Sequence, residues 1–171
     1  MPKVTFYPEN KSGEVPPGTS LLDAAEKLGI TINHDCGGFA TCSTCRILIV
    51  EGTDQLTEID LDEENMLEEA ELAAPFRLSC QAKIQGEVIA RIPDGEMRWD
   101  PEALQELGKH EAQIRQVLRV IVEAQARNQT ISLIDLETAT SMLEEAQKKI
   151  AIIGKNTAGW AALVKEVYEI P

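Results

Sequence analysis

Residues 34–46 read HDCGGFATCSTCR and hold three of the four cysteines of a 171-residue chain. The fourth, Cys80, stands in a second short motif, RLSCQAKI. Written as spacing, the set is Cys-x5-Cys-x2-Cys-x34-Cys. A disulfide framework spreads its cysteines along a chain of this size. Three thiols within ten residues, separated by glycines and small side chains, describe instead a loop wrapped around something inorganic. The first expectation is an iron-sulfur cluster.

Working outward from that loop, the upstream residues predict a short β unit and one helix. Lys3 to Tyr7 alternates as a strand, and Gly13 to Val15 returns beside it after the break at Tyr7 to Asn10. Ser20 with Asp23 has the form of a helix N-cap, followed by an apolar face of Leu21, Leu22, Ala25 and Leu28 and a stop at Gly29. Downstream of the loop come a strand from Arg46 to Val50, a turn at Gly52 and a short helix from about Asp62 to Ala73. Two further strands, Arg77 to Lys83 and Glu87 to Ile92, lead to a closing turn at Pro93-Asp94-Gly95. No lysine or arginine occurs from Ile47 to Phe76, so a strongly acidic segment lies between the third and fourth cysteines. Most such runs only keep a surface solvated, but this one flanks whatever the cysteines bind.

Composition bounds the function. With 43% hydrophobic and 26% charged residues, the chain has the make-up of an ordinary globular protein. No apolar run approaches the roughly 18 residues of a membrane span, and the N-terminus lacks the character of a signal peptide, so a cytoplasmic, reducing location is expected. A formal charge of -13 argues against nucleic acid and for partners with basic surfaces. The acidity is uneven: residues 1–99 carry net -10 and residues 100–171 net -3, a first sign of two halves.

The order strand, hairpin, helix, cysteine loop, strand, acidic DEENMLEEAE helix, RLSCQ strand and final strand resembles the adrenodoxin-like (vertebrate-type) 2Fe-2S ferredoxins over about residues 3–95. The five-residue gap between the first two cysteines separates that class from the plant type, which has four. The resemblance implies a β-grasp domain holding one 2Fe-2S cluster on Cys36, Cys42, Cys45 and Cys80. Cys36 and Cys42 would take the outer iron, and Cys45 and Cys80 the inner one. Gly37 and Gly38 would bring backbone N–H groups against the sulfurs, and the potential would lie on the negative side. It further implies a one-electron carrier rather than an enzyme, shuttling between a ferredoxin reductase and an acceptor protein with basic surfaces. Asp60, Asp62, Glu63, Glu64 and Glu68 are the expected partner surface. One departure is Arg46, which stands where many cluster-assembly ferredoxins carry histidine and so weakens the case for a role in cluster biogenesis.

Rival readings of the cysteines lack support in the spacing. Structural zinc sites favour two Cys-x2-Cys knuckles, and only Cys42 with Cys45 has that form. A Rieske site needs two histidine ligands, whereas His34 is alone near the cysteines and reads as a hydrogen-bonding loop residue. Nucleophilic cysteine catalysis has no cysteine–histidine pair to build on.

Beyond Pro93 the pattern turns helical. Asp100-Pro101 opens a helix interrupted at Gly108, and Ile114, Val117, Leu118, Ile121 and Ala124 mark a second over about 111–127. A third, from about Ser132 to Ile153, places Leu136, Leu143 and Ile150, and likewise Ala139, Ala146 and Ile153, seven apart. Gly154 ends it before a last helix through Trp160, Leu163, Val164 and Val167. GKNTAG at 154–159 lacks the order of a phosphate-binding loop and reads as a helix–helix turn.

The expected architecture is therefore α+β: a β-grasp ferredoxin domain over 1–98 and an all-helical domain over 99–171, the latter serving internal packing, homodimerisation or docking to a complex. Two alternatives accompany the carrier reading: a cluster-bearing subunit tethered to an enzyme complex through residues 100–171, and a redox-sensing binding protein.

Overall fold

The computed structural model describes residues 1–95, 97–153 and 157–171 and divides into two compact units, Met1–Asp94 and Gly95–Pro171. In the first, strand β1 (Lys3–Tyr7) turns Val4 and Phe6 onto the core, where both are fully buried. Asn10 takes a left-handed conformation (φ 52°), and β2 (Lys11–Glu14) folds back antiparallel on β1. Helix α1 (Leu21–Lys27) begins as the sequence predicts, the Asp23 N–H donating to Ser20 Oγ at 3.0 Å. It buries Leu21, Leu22, Ala24 and Ala25. Strand β3 (Arg46–Glu51) follows the cysteine loop and buries Ile47 through Val50 without alternation, as a strand covered on both faces must.

After a single 3-10 turn (Thr53–Gln55) come helices α2 (Leu61–Met66) and α3 (Glu69–Ala73), then β4 (Phe76–Leu78) and β5 (Val88–Arg91). The sheet order is β2-β1-β5-β3-β4, with β1 and β5 parallel and the other neighbours antiparallel. This is the β-grasp arrangement, with the last strand inserted at the centre. Phe6, Leu21, Ile47, Ile49, Leu78 and Ile84 are the large side chains that fill the core of this unit.

Two elements differ from expectation. The acidic helix is broken in two, because Leu67 (φ -109°, ψ 139°) and Glu68 are extended and Glu68 and Glu71 form a reciprocal capping box that starts α3 anew. The strand expected over Arg77 to Lys83 ends at Leu78. The N–H groups of Gln81 and Ala82 both reach back to the Leu78 carbonyl, so Cys80 lies on a tight turn rather than in a strand.

The second unit holds α4 (Pro101–Gly108), α5 (Ala112–Asn128), α6 (Leu136–Ile153) and α7 (Thr157–Val167). It also contains an element that helical periodicity does not reveal, a two-stranded parallel pair of β6 (Arg98–Trp99) and β7 (Leu133–Ile134). Leu118, Ile121, Ile134, Ile150 and Leu163 are nearly or fully buried within the unit. The seven-residue seam on α6 is spent in this interior: Ala139, Leu143, Ala146 and Ile150 are buried, and only the ends, Leu136 and Ile153, reach solvent. The stop at Gly154 and the start of the turn after it fall on residues 154–156, outside the described residues.

Candidate metal centre

The loop between α1 and β3 is shaped by backbone that few residue types tolerate. Gly37 (φ 67°), Gly38 (φ 92°) and Ala40 (φ 56°) are all left-handed, a backbone path in which the Gly38 and Thr41 N–H groups reach Cys36. The effect is felt at Cys36. Its thiol is lowered to about 6, first by a hydrogen bond from the Thr41 backbone, with further bonds from the Cys42 thiol and the Gly38 backbone. Partial desolvation opposes the shift. Thr44 Oγ1 accepts the Asp35 N–H at 3.0 Å and lies 3.1 Å from Cys42 Sγ, so its own hydrogen is available to that sulfur.

The other two cysteines meet at the end of the sheet. Cys45 is fully buried at the start of β3, and its Sγ is 3.5 Å from Cys80 Sγ. The Cys80 turn is held to β3 by the Ser79 N–H, which donates to the Cys45 carbonyl at 3.1 Å. Burial pushes the Cys80 thiol up to about 11; the neighbouring Cys45 adds to the rise, while Gln81 opposes it. Gln81 Nε2 lies 3.4 Å from both Cys80 Sγ and the Gly38 carbonyl, tying the turn to the loop.

The four sulfurs thus fall into two pairs, Cys36 with Cys42 and Cys45 with Cys80. Two such pairs suit two irons joined by two bridging sulfides, each iron taking two thiolates. The hydroxyl of Ser79, the residue directly before Cys80, is buried and has no hydrogen-bond partner.

Arg46, the departure noted in the sequence, links the loop to α3. Its Nε donates to the Ser43 carbonyl at 3.0 Å, its Nη2 to Ser43 Oγ at 2.8 Å, and its Nη1 to Glu71 Oε1. Glu71 is itself buried, and its Oε2 accepts the Glu68 N–H at 2.9 Å. The cysteine loop is therefore bound through Arg46 to α3. His34 has the hydrogen-bonding part expected of it: Nδ1 donates to the Ile32 carbonyl at 2.6 Å.

The expected acidic surface needs one correction. Asp60, Asp62, Glu64 and Glu68 are exposed, and Asp60 also caps α2 through the Glu63 N–H at 2.9 Å. Glu63 is fully buried. It accepts Arg77 Nε at 2.8 Å, Arg77 Nη2 at 2.7 Å and the Leu78 N–H at 3.0 Å, so its charge faces inward and is lost to any partner. A signal for this is present in the sequence, since Glu63, Met66 and Leu67 share one helical face and Arg77 is the first cation after the acidic run. The link from Arg46 to Glu71 has a weaker one, the Glu68-x-x-Glu71 capping pattern. Phe39, at the tip of the loop and 80% exposed, has no signal at all in the spacing of the cysteines around it.

Fold and loop together define an iron-sulfur electron-transfer protein of the β-grasp type. A family model described as the 2Fe-2S iron-sulfur cluster binding domain matches residues 4–85. The 2Fe-2S ferredoxin of Haemophilus influenzae is 37% identical over 95 residues, covering 54% of this chain and 84% of that protein. A component of the Na(+)-translocating NADH-quinone reductase of Idiomarina loihiensis is 32% identical over 95 residues, 54% of this chain and 22% of that protein. A crystal structure of an ISC-like [2Fe-2S] ferredoxin from Pseudomonas putida superposes with a TM-score of 0.48 at 33% identity, covering 57% of this chain and 97% of that one. The chain belongs to the 2Fe-2S ferredoxins: its cofactor is a 2Fe-2S cluster, and it is an electron carrier rather than a catalytic enzyme.

Proposed function

We propose that Cys36, Cys42, Cys45 and Cys80 hold the cluster, and that the chain passes single electrons from a reductase to an acceptor protein through the edge of the loop. The observation that carries this reading is the pairing of the sulfurs described above. When bound, the cluster supplies one reversible electron. The chain's own part is to hold it and tune it. Backbone N–H groups of Gly38 and Thr41 and the hydroxyl of Thr44 face sulfur and favour the more negative reduced state. Cys36, Cys42 and Cys80 are partly exposed and Cys45 is buried, so the Cys36–Cys42 side, with both of its cysteines reaching solvent, is the entry and exit point for the electron in this reading. Asp60, Asp62, Glu64 and Glu68 steer a basic partner toward that point. Among the described residues no helix is long and apolar enough to cross a membrane, and a cytoplasmic location is part of the proposal.

The test is iron and sulfide analysis with paramagnetic resonance on anaerobically purified protein. Two irons and two sulfides per chain, lost on replacing any one of the four cysteines by serine, support the assignment. A colourless zinc protein, or a single-cysteine variant with an unaltered spectrum, overturns it.

A second reading is favoured by the extent of the relatives. Their similarity covers 54% of the chain and the family model stops at residue 85, so the helical unit lies largely outside the match, and Ile152 on that unit is 85% exposed. Under this reading the helices tether the ferredoxin unit to one enzyme complex. Pull-down with the intact chain and with residues 1–94 alone separates the two: equal capture of the same partner by both rejects the tether.

A further inference from the structure

Four buried side-chain polar atoms among the described residues lack a hydrogen-bond partner: Ser79 Oγ, Arg115 Nε, Gln125 Oε1 and Trp160 Nε1. Three belong to the helical unit. Of the four, Ser79 alone lies in the ferredoxin unit, directly before Cys80, with no exposed surface. Its backbone is satisfied on both sides, the N–H donating to the Cys45 carbonyl at 3.1 Å and the carbonyl accepting the Leu22 N–H at 2.9 Å. Only the hydroxyl is left over. A buried hydroxyl without a partner costs about 1–3 kcal/mol, so alanine would be the better residue here unless something accepts the hydrogen.

The ladder indicates where that hydrogen is directed. Strands β3 and β4 pair Arg46 with Leu78 and Ile47 with Arg77, and the bond from Ser79 to Cys45 extends the same register by one step. Ser79 is therefore opposite Cys45. Residues opposite each other in an antiparallel pair project from the same face, with Cβ atoms about 4.5–5.5 Å apart. Cys45 Sγ is in turn 3.5 Å from Cys80 Sγ. The unpartnered donor thus sits opposite Cys45, both residues without exposed surface, where the acceptor that the protein does not supply is a sulfur of the cluster.

We infer that Ser79 is a positioning and tuning residue that donates a hydroxyl hydrogen bond to sulfur at the inner iron, favouring the reduced state. The inference rests on the ligand assignment proposed above. Ser79 does not carry the electron; it raises the potential at which the cluster accepts it.

The experiment uses the cluster-loaded full chain. Redox titration of Ser79→Ala is expected to give a midpoint potential more negative than wild type, and Ser79→Thr, which keeps the hydroxyl, to restore it in part or in full. Resonance Raman spectra in H2O and D2O are expected to show an isotope shift in the iron-sulfur stretching bands that is smaller in Ser79→Ala. A Ser79→Ala protein with wild-type potential and wild-type isotope shift overturns the inference, the hydroxyl then being satisfied by a buried water. Should the ligand assignment itself be wrong, the Cys45→Ser and Cys80→Ser proteins would keep the wild-type spectrum, a result distinct from any obtained at Ser79.

Discussion

Cys36 and Cys80 are the same residue type in one site, yet their surroundings drive them in opposite directions. Hydrogen bonds from the loop lower the Cys36 thiol to about 6, and burial raises Cys80 to about 11. A lowered pKa means loss of the proton at lower pH, so at pH 7.5 Cys36 is mostly thiolate and Cys80 almost wholly thiol. In the folded, metal-free chain, iodoacetamide at pH 7.5 is expected to label Cys36 well before Cys80, and peptide mass spectrometry at short times checks the order. Equal labelling of the two would contradict it. The cysteines are legible in the sequence because their spacing is a local pattern. Ser79 and Arg46 are not, since their meaning depends on partners that only the folded sheet and α3 bring within reach, such as Cys45 across the ladder and Glu71.

At the scale of elements, the acidic segment is two devices in one stretch of sequence. Glu63 turns inward to Arg77, both nearly without exposed surface, and fastens α2 to β4. Removing one partner of such a pair leaves an uncompensated buried charge at a cost of about 3–5 kcal/mol. Glu63→Ala is thus expected to lower the thermal midpoint of cluster loss markedly while leaving the salt dependence of electron transfer unchanged. Glu64→Lys, on an exposed side chain outside the caps, is expected to do the reverse, sparing stability and flattening the fall of transfer rate with rising salt. Stopped-flow rates at several ionic strengths, measured with a positively charged haem protein such as cytochrome c as acceptor, distinguish them. The run of like charges hides this division of labour, because charge identifies a residue type and not the direction its side chain takes. The break between α2 and α3 is masked for a related reason: DEENMLEEAE has good helix formers throughout, and local capping at Glu68 prevails over propensity.

Over the whole molecule, the ferredoxin unit is readable almost element by element, since strands, caps and turns there follow short-range rules. The helical unit is readable as helices but not as a packing arrangement. Its seam on α6 fits a coiled coil and a bundle interior equally well on paper, and burial of Leu143 and Ile150 assigns it to the interior. The β6–β7 pair is two residues per strand, too short for any periodicity to register. Each unit has its own buried core, so residues 1–94 are expected to fold alone, bind the cluster with the wild-type absorption spectrum, and retain its midpoint potential. Loss of the spectrum on truncation would show that the helices support the cluster site.

The order in which the chain is synthesised meets this topology at an awkward point. Cys45 and Cys80 are 35 residues apart, and the central strand β5 comes later still. At about 5–20 residues per second, the first three thiols wait about 2–7 s for the fourth. Throughout that interval β1 and β3 have no strand between them, and the glycine loop has no turn to close against. A nascent chain therefore carries three of the four thiols for some seconds before the residue that completes the set, and the sheet that encloses them, can form.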